Sequence, residues 1–181
     1  MEVIDNFLPF DDFLRIQNAM LGNEFPWYYN DYIAYDPDEK NMFIPPGKSE
    51  WNDFQLIHVF YRLNMQYGYQ EMCSSYIELI HPVFERLNMF CLLRCKANMT
   101  TCTPNENIVS GLHCDMEYDG TTAIFYLNSN NGYTVFKDGE KVESVANRIV
   151  KFPTLKEHSG VSCSDSKRRA VINFNYIENI R

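Results

Sequence analysis

The chain has 181 residues, 45% of them hydrophobic and 15% aromatic, with a formal net charge of −8. The length fits one domain with a real core. No apolar run reaches a membrane span, and the acidic balance argues against duplex nucleic acid as a substrate, which calls for a basic stripe. The acidic start, Met1 to Asp12, lacks the basic residues and cleavage site of a signal peptide. The six cysteines include no CxxC and, without an export signal, read as free thiols.

Val3 to Leu8 reads as a short strand. Asp11 or Asp12 caps a predicted helix with Phe13, Ile16 and Met20 on one side. Phe25-Pro26-Trp27-Tyr28-Tyr29 opens a long irregular stretch. Residues 25–50 are a candidate lid, and a surface loop anchored by its aromatics is the equal alternative. Asn52-Asp53 caps a second predicted helix through Phe54, Ile57, Phe60, Tyr61 and Leu63. A third begins near Ser74 and carries Tyr76, Ile80, Val83, Phe84 and Leu87, with Pro82 expected to kink or divide it.

After residue 88 the rhythm changes to strands about ten residues apart. They are placed at 89–98, 108–115, 121–128, 133–137, 140–145, 148–152, 155–161 and 168–176. Gly132, Gly139 and Gly160 punctuate them, and Lys137-Asp138-Gly139-Glu140 is a hairpin turn. The fold class expected is mainly β with N-terminal helices (α+β) in one domain, 1–181. Residues 88–177 form a double-stranded β-helix, or jelly roll, and helices from 1–87 pack on one sheet.

One cluster of residues carries chemistry. In His113-Cys114-Asp115, alternation along a strand puts His113 and Asp115 on one face. His158 follows, and ten residues on comes Arg168. Two histidines and a carboxylate can cap one face of Fe(II) and leave the other open. An arginine fork suits a dicarboxylate. His58 and His81 are the competing histidines, and both fall within helical patterns.

The neighbouring segments extend this pattern. Thr122-Ala123-Ile124-Phe125-Tyr126-Leu127-Asn128 resembles a T-x-x-x-Y-L-N strand, and Asn131-Gly132-Tyr133-Thr134-Val135-Phe136 a G-G-x-T-x-F turn and strand. Asn147-Arg148-Ile149-Val150-Lys151-Phe152-Pro153 resembles N-R-x-V-x-F, and Val171 to Tyr176 a last core strand. Together, over about half the chain, they resemble the prolyl-hydroxylase-like 2-oxoglutarate and Fe(II)-dependent dioxygenases. The N-terminal half is similar to uncharacterised oxygenases of marine bacteriophages. The resemblance implies that His113, Asp115 and His158 bind Fe(II) and that Arg168 pairs with the distal carboxylate of 2-oxoglutarate. It also implies that Tyr126 donates to the same carboxylate and that Thr122 lines the pocket. The family tyrosine on the strand before H-x-D is missing. Asn98, Lys96 or Arg94, which alternate onto one face, are its candidate replacements. Arg169 is expected to point away from Arg168, to solvent.

The implied activity is a dioxygenase using Fe(II), 2-oxoglutarate and O2. It would hydroxylate a C–H bond of a peptide or protein side chain or of a free amino acid, releasing succinate and CO2. Asp115 favours hydroxylation, because family halogenases lack this carboxylate. The partners expected are 2-oxoglutarate and a peptide or small molecule, with neither nucleic acid nor membrane, in a monomer by default. The compartment expected is the cytoplasm, of the host cell if the gene is a phage's. Two alternatives stand beside this one: a cupin-like jelly roll that binds metal without catalysis, and a hydrolytic zinc site. A structural metal site has no need of Arg168, and no general base accompanies the triad.

Overall fold

The computed structural model describes residues 1–30, 54–64, 67–104, 107 and 109–179. In chain order the elements are β1 (Glu2–Ile4), α1 (Phe10–Leu21), β2 (Tyr28–Asn30), β3 (Gln55–Asn64) and β4 (Tyr69–Met72). A 3-10 turn (Ser75–Ile80) then runs into α2 (His81–Arg86). The remaining strands are β5 (Met89–Thr101), β6 (Thr121–Tyr126), β7 (Tyr133–Phe136), β8 (Lys141–Glu143), β9 (Ile149–Pro153), β10 (His158–Val161) and β11 (Arg168–Glu178).

The chain is mostly β. Eight strands form one sheet in the order β1-β9-β6-β11-β5-β3-β2, with β4 paired to β3. Three more form a second sheet, β10-β7-β8, and every pairing is antiparallel. Along β5 the odd residues from Leu93 to Met99 are buried, while Arg94, Lys96, Asn98 and Thr100 stay half-exposed on the opposite face. That period-two pattern is what a sheet with one dry face and one wet face requires.

Two apolar clusters flank the large sheet. On one side Phe13, Ile16 and Met20 of α1, spaced for one helix face, join Phe7, Phe125 and Phe174. Phe7 and Phe13 meet the Phe125 ring edge-on at 6.0 and 6.1 Å. On the other side Ile124, Tyr126, Val150 and Val171 of the large sheet meet Phe136 and Val142 of the small one. Each Phe or Ile fully buried here contributes about 1.5–3 kcal/mol.

Several expectations are corrected. The predicted second helix is strand β3. Its Ile57, Val59, Phe60 and Tyr61 are β-branched or aromatic, and a short apolar run fits either period, so pairing with β5 decides it. Among the described residues, 1–87 are therefore not chiefly helical. Asp11 and Asp12 lie in the first turn of α1, where the helix dipole favours them, and Pro9 holds the cap position without a side-chain bond. Pro82 divides the third segment, falling in the first turn of α2 just after the 3-10 turn. Residues 109–115 form no strand; their backbone pairing is limited to the isolated bridges Val109–Val161 and His113–His158. The Asn52-Asp53 cap and residues 31–50 of the candidate lid lie outside the described residues.

Candidate active site

The two metal-ligand candidates His113 and His158 are direct partners across an isolated antiparallel bridge. The His113 N–H donates to the His158 carbonyl and the His158 N–H to the His113 carbonyl, each at 3.0 Å. This doubly bonded antiparallel pair sets the rings side by side, with centroids 4.7 Å apart. Each ring donates from Nδ1 to a nearby backbone carbonyl: His113 to Gly111 at 3.0 Å, His158 to Lys156 at 3.1 Å. A carbonyl only accepts, so both rings carry hydrogen on Nδ1 and turn Nε2 toward Asp115.

Asp115 completes the set. Its carboxylate oxygens lie 4.0 Å from His113 Nε2 and 3.8 Å from His158 Nε2, and one ligand atom from each residue falls within 4.8 Å of the others. Its side chain is 3% exposed. Burial alone would push the carboxyl up, but the charges of Arg94, His158 and His113 and a hydrogen bond from Asn175 outweigh it and hold Asp115 below its ordinary value. Burial pushes His158 down, toward the neutral form that binds metal, and Asp115 opposes that only in part. Two imidazole nitrogens and a hard carboxylate form a donor set that fits a divalent ion such as Fe(II).

Behind the triad lies a cavity of about 80 Å³ whose lining includes His113, His158, Asn98, Thr100, Asn173 and Arg169. Arg169 is 6% exposed. Its Nε donates to Ser144 Oγ at 2.9 Å and its Nη2 to Thr134 Oγ1 at 3.1 Å, and its guanidinium lies over the Tyr126 ring at 5.6 Å. Among the described residues no carboxylate pairs with it. A buried cation held only by neutral groups calls for an anion. Three buried oxygens at the same cavity, Asn98 Oδ1, Thr100 Oγ1 and Asn173 Oδ1, have no hydrogen-bond partner among the described residues. The cavity wall thus offers a buried cation and polar groups, which fits a small dicarboxylate.

The placement of Arg168 is a correction. Its guanidinium points away from the cavity and donates to the Leu21 carbonyl at 2.6 Å, closing the C-terminal end of α1. Opposite faces for Arg168 and Arg169 are what strand alternation dictates, and it is Arg169 that turns inward. Thr122 does not line the cavity either; it is fully buried and accepts from Asn175 Nδ2 at 2.9 Å, behind Asp115. Tyr126 lies beneath Arg169, with its hydroxyl 2.8 Å from Thr134 Oγ1. Asn98 lines the cavity, while Arg94 contacts Asp115 instead.

The sequence reading sends Arg169, the rival cation, to solvent, and it gives Thr134, Asn173 and Asn175 no role. A signal existed for most of them. The β11 face shared with Arg168 carries Ala170, Ile172, Phe174 and Tyr176, whereas the face shared with Arg169 carries Val171, Asn173 and Asn175. Two amides in line with a cation mark the wetter face. His58 and His81 stay apart from the site: His58 is buried on β3 and His81 starts α2.

No protein-family model matches the chain, and no curated protein matches it. Solved structures do. A 2OG-Fe(II) oxygenase-family oxidoreductase from Burkholderia pseudomallei aligns with a TM-score of 0.65 at 10% identity, covering 98% of this chain and 84% of that one. A prolyl hydroxylase from Trichoplax adhaerens, in complex with a hypoxia-inducible-factor peptide, aligns at 0.52 and 13%, covering 97% and 82%. The epimerase SnoN, in complex with Fe3+, alpha-ketoglutarate and nogalamycin RO, aligns at 0.59 and 11%, covering 97% and 78%. None of these bears on a likeness to bacteriophage proteins. At such identities the agreement is one of fold: this chain is built like the 2OG-Fe(II) oxygenases.

Proposed function

We propose that this chain is an Fe(II)- and 2-oxoglutarate-dependent dioxygenase of one domain with a double-stranded β-helix core, and that it hydroxylates a C–H bond. The observation that carries this reading is Arg169, a buried cation without a carboxylate partner among the described residues, in the wall of the same cavity that His113 and His158 line. His113, Asp115 and His158 would hold Fe(II), which supplies O2 activation coupled to decarboxylation of 2-oxoglutarate to succinate and CO2. The Nδ1 bonds to Gly111 and Lys156 keep both imidazoles aimed. Arg169, in place of Arg168, would pair with the distal carboxylate. Tyr126 supports that guanidinium from below, and Asn98 and Thr100 offer polar contacts along the cosubstrate. His158, at 4% exposure, and the ring of Phe152 4.8 Å away limit water at the inner side, while His113, at 29%, faces the opening.

Support for a substrate class comes from the fold relatives alone, and two classes are proposed: a peptide, as with the Trichoplax hydroxylase, or a small molecule, as with SnoN. The test is anaerobic addition of Fe(II) and then 2-oxoglutarate, followed by the visible charge-transfer band of the chelate. The wild type should give the band, His158→Ala should abolish it, and Arg169→Met should require far more 2-oxoglutarate. Iron bound without any band would overturn the assignment and favour a cupin-like binding protein.

A further inference from the structure

Asp115 differs from the two histidines in how it is held. His113 and His158 are fixed by a backbone bridge, whereas Asp115 lies in a bend past that bridge and outside any ladder. A ligand carried on such a bend needs its orientation supplied by side chains. Three strands of the large sheet supply them in register. Arg94 of β5 pairs with Asn175 of β11, and Asn175 pairs with Thr122 of β6.

The hydrogen bonds close a ring around the carboxylate. Arg94 Nη2 donates to Asp115 Oδ1 at 3.0 Å and Arg94 Nε to Asn175 Oδ1 at 2.9 Å. Asn175 Nδ2 donates to Asp115 Oδ2 at 3.1 Å and also to Thr122 Oγ1 at 2.9 Å. Each carboxylate oxygen thus receives one donor and keeps a lone pair for another bond. The amide is oriented by the same guanidinium that grips the carboxylate, so the assembly resists rotation of Asp115. Arg62, the next residue across the sheet, is tied to Glu71 at 2.6 Å and does not compete.

We infer that Arg94 is a positioning residue for the metal centre: with Asn175 and Thr122 it fixes the loop-borne Asp115 in the orientation that lets one carboxylate oxygen join His113 and His158 on a single divalent ion. Arg94 is not among the residues that line the cavity, and it acts through Asp115. The inference rests on the metal-centre reading above.

The test is titration of the full chain with Co(II), anaerobically, read by its ligand-field absorption and scaled to the folded fraction from near-ultraviolet circular dichroism. Arg94→Met should lower Co(II) affinity about 10- to 100-fold and change the shape of the spectrum, as loss of an outer partner of a ligand does. Arg94→Lys keeps the charge but has one nitrogen, which cannot serve Asn175 and Asp115 together. It should show the altered spectrum as well. Wild-type affinity and spectrum in Arg94→Met, or full rescue by Arg94→Lys, would overturn the inference. Failure of the wild type itself to bind Co(II), with His158→Ala no different, would overturn the metal centre and this inference with it.

Discussion

Arg168 and Arg169 are chain neighbours with opposite tasks. One guanidinium ends α1 at the Leu21 carbonyl, and the other is buried over Tyr126 in the cavity wall. The first expectation separates them. Arg169→Met should weaken 2-oxoglutarate binding about 10- to 100-fold, the worth of a charge-assisted pair. It should leave the melting temperature unchanged or raised, because a buried unpaired cation is itself unfavourable. Arg168→Met should do the reverse, lowering stability by about 0.5–1.5 kcal/mol with cosubstrate affinity intact. Thermal melts beside 2-oxoglutarate titrations would check both.

Gly132 makes room for that cation. A Cβ there would fall 2.7 Å from the Val161 carbonyl oxygen, 2.8 Å from Arg169 Cδ and 2.8 Å from Asn130 Oδ1. Two of these neighbours are a backbone atom and a buried stem, so neither yields easily. Gly132→Ala should cost about 1–3 kcal/mol as an overpacked site. It should also displace Arg169 and raise the 2-oxoglutarate concentration needed for half-saturation. A variant that melts lower but binds the cosubstrate normally would show that Arg169 stays in place.

Asn147 ties the N-terminus to the sheet. At φ 62° it adopts the left-handed conformation. Its side chain accepts from the Leu8 N–H at 2.9 Å and donates to the Leu8 carbonyl at 2.8 Å. Asn147→Ala loses both bonds and keeps an unfavourable φ, for about 2–4 kcal/mol in all. Asn147→Gly relieves the backbone and should lose about 1 kcal/mol less. Urea denaturation of the three proteins would rank them.

His58 gives the fold a pH dependence of known sign. Its Nδ1 donates to the Pro26 carbonyl at 2.7 Å, and Nε2 accepts from Ser74 Oγ at 2.8 Å. Burial among Phe25, Phe60 and Tyr76 lowers its pKa from the ordinary 6.5, and the Pro26 bond recovers only part. The unfolded chain therefore takes up a proton near 6.5 that the folded chain refuses. Stability is full above that value and is lost as the pH falls toward the folded pKa. Urea midpoints at about pH 7.5 and about pH 5.5 should differ less in His58→Gln than in the wild type. An equal drop in both would assign the acid loss elsewhere, His158 being the next candidate.

The sequence by itself determined the mostly β character of the second half, because strand periods and turn residues act over a few neighbours. β5, β6, β7, β8, β9, β10 and β11 all lie within or close to the expected segments. It also determined α1, through Phe13, Ile16 and Met20, and it singled out His113, Asp115 and His158, which fold to within 4.8 Å of one another. It did not determine β3, where an apolar run fitted helix and strand alike until pairing with β5 chose. Nor did it determine which arginine faces the cavity. Asn173 and Asn175 mark the wetter face of β11, but nearly every residue from Arg168 to Tyr176 is buried, so the two faces differ in polarity and not in burial. The Arg94–Asn175–Thr122 row follows from register alone, and register joins positions dozens of residues apart. Only the tertiary structure decides such pairings, because the contacts that fix them do not exist until distant strands meet.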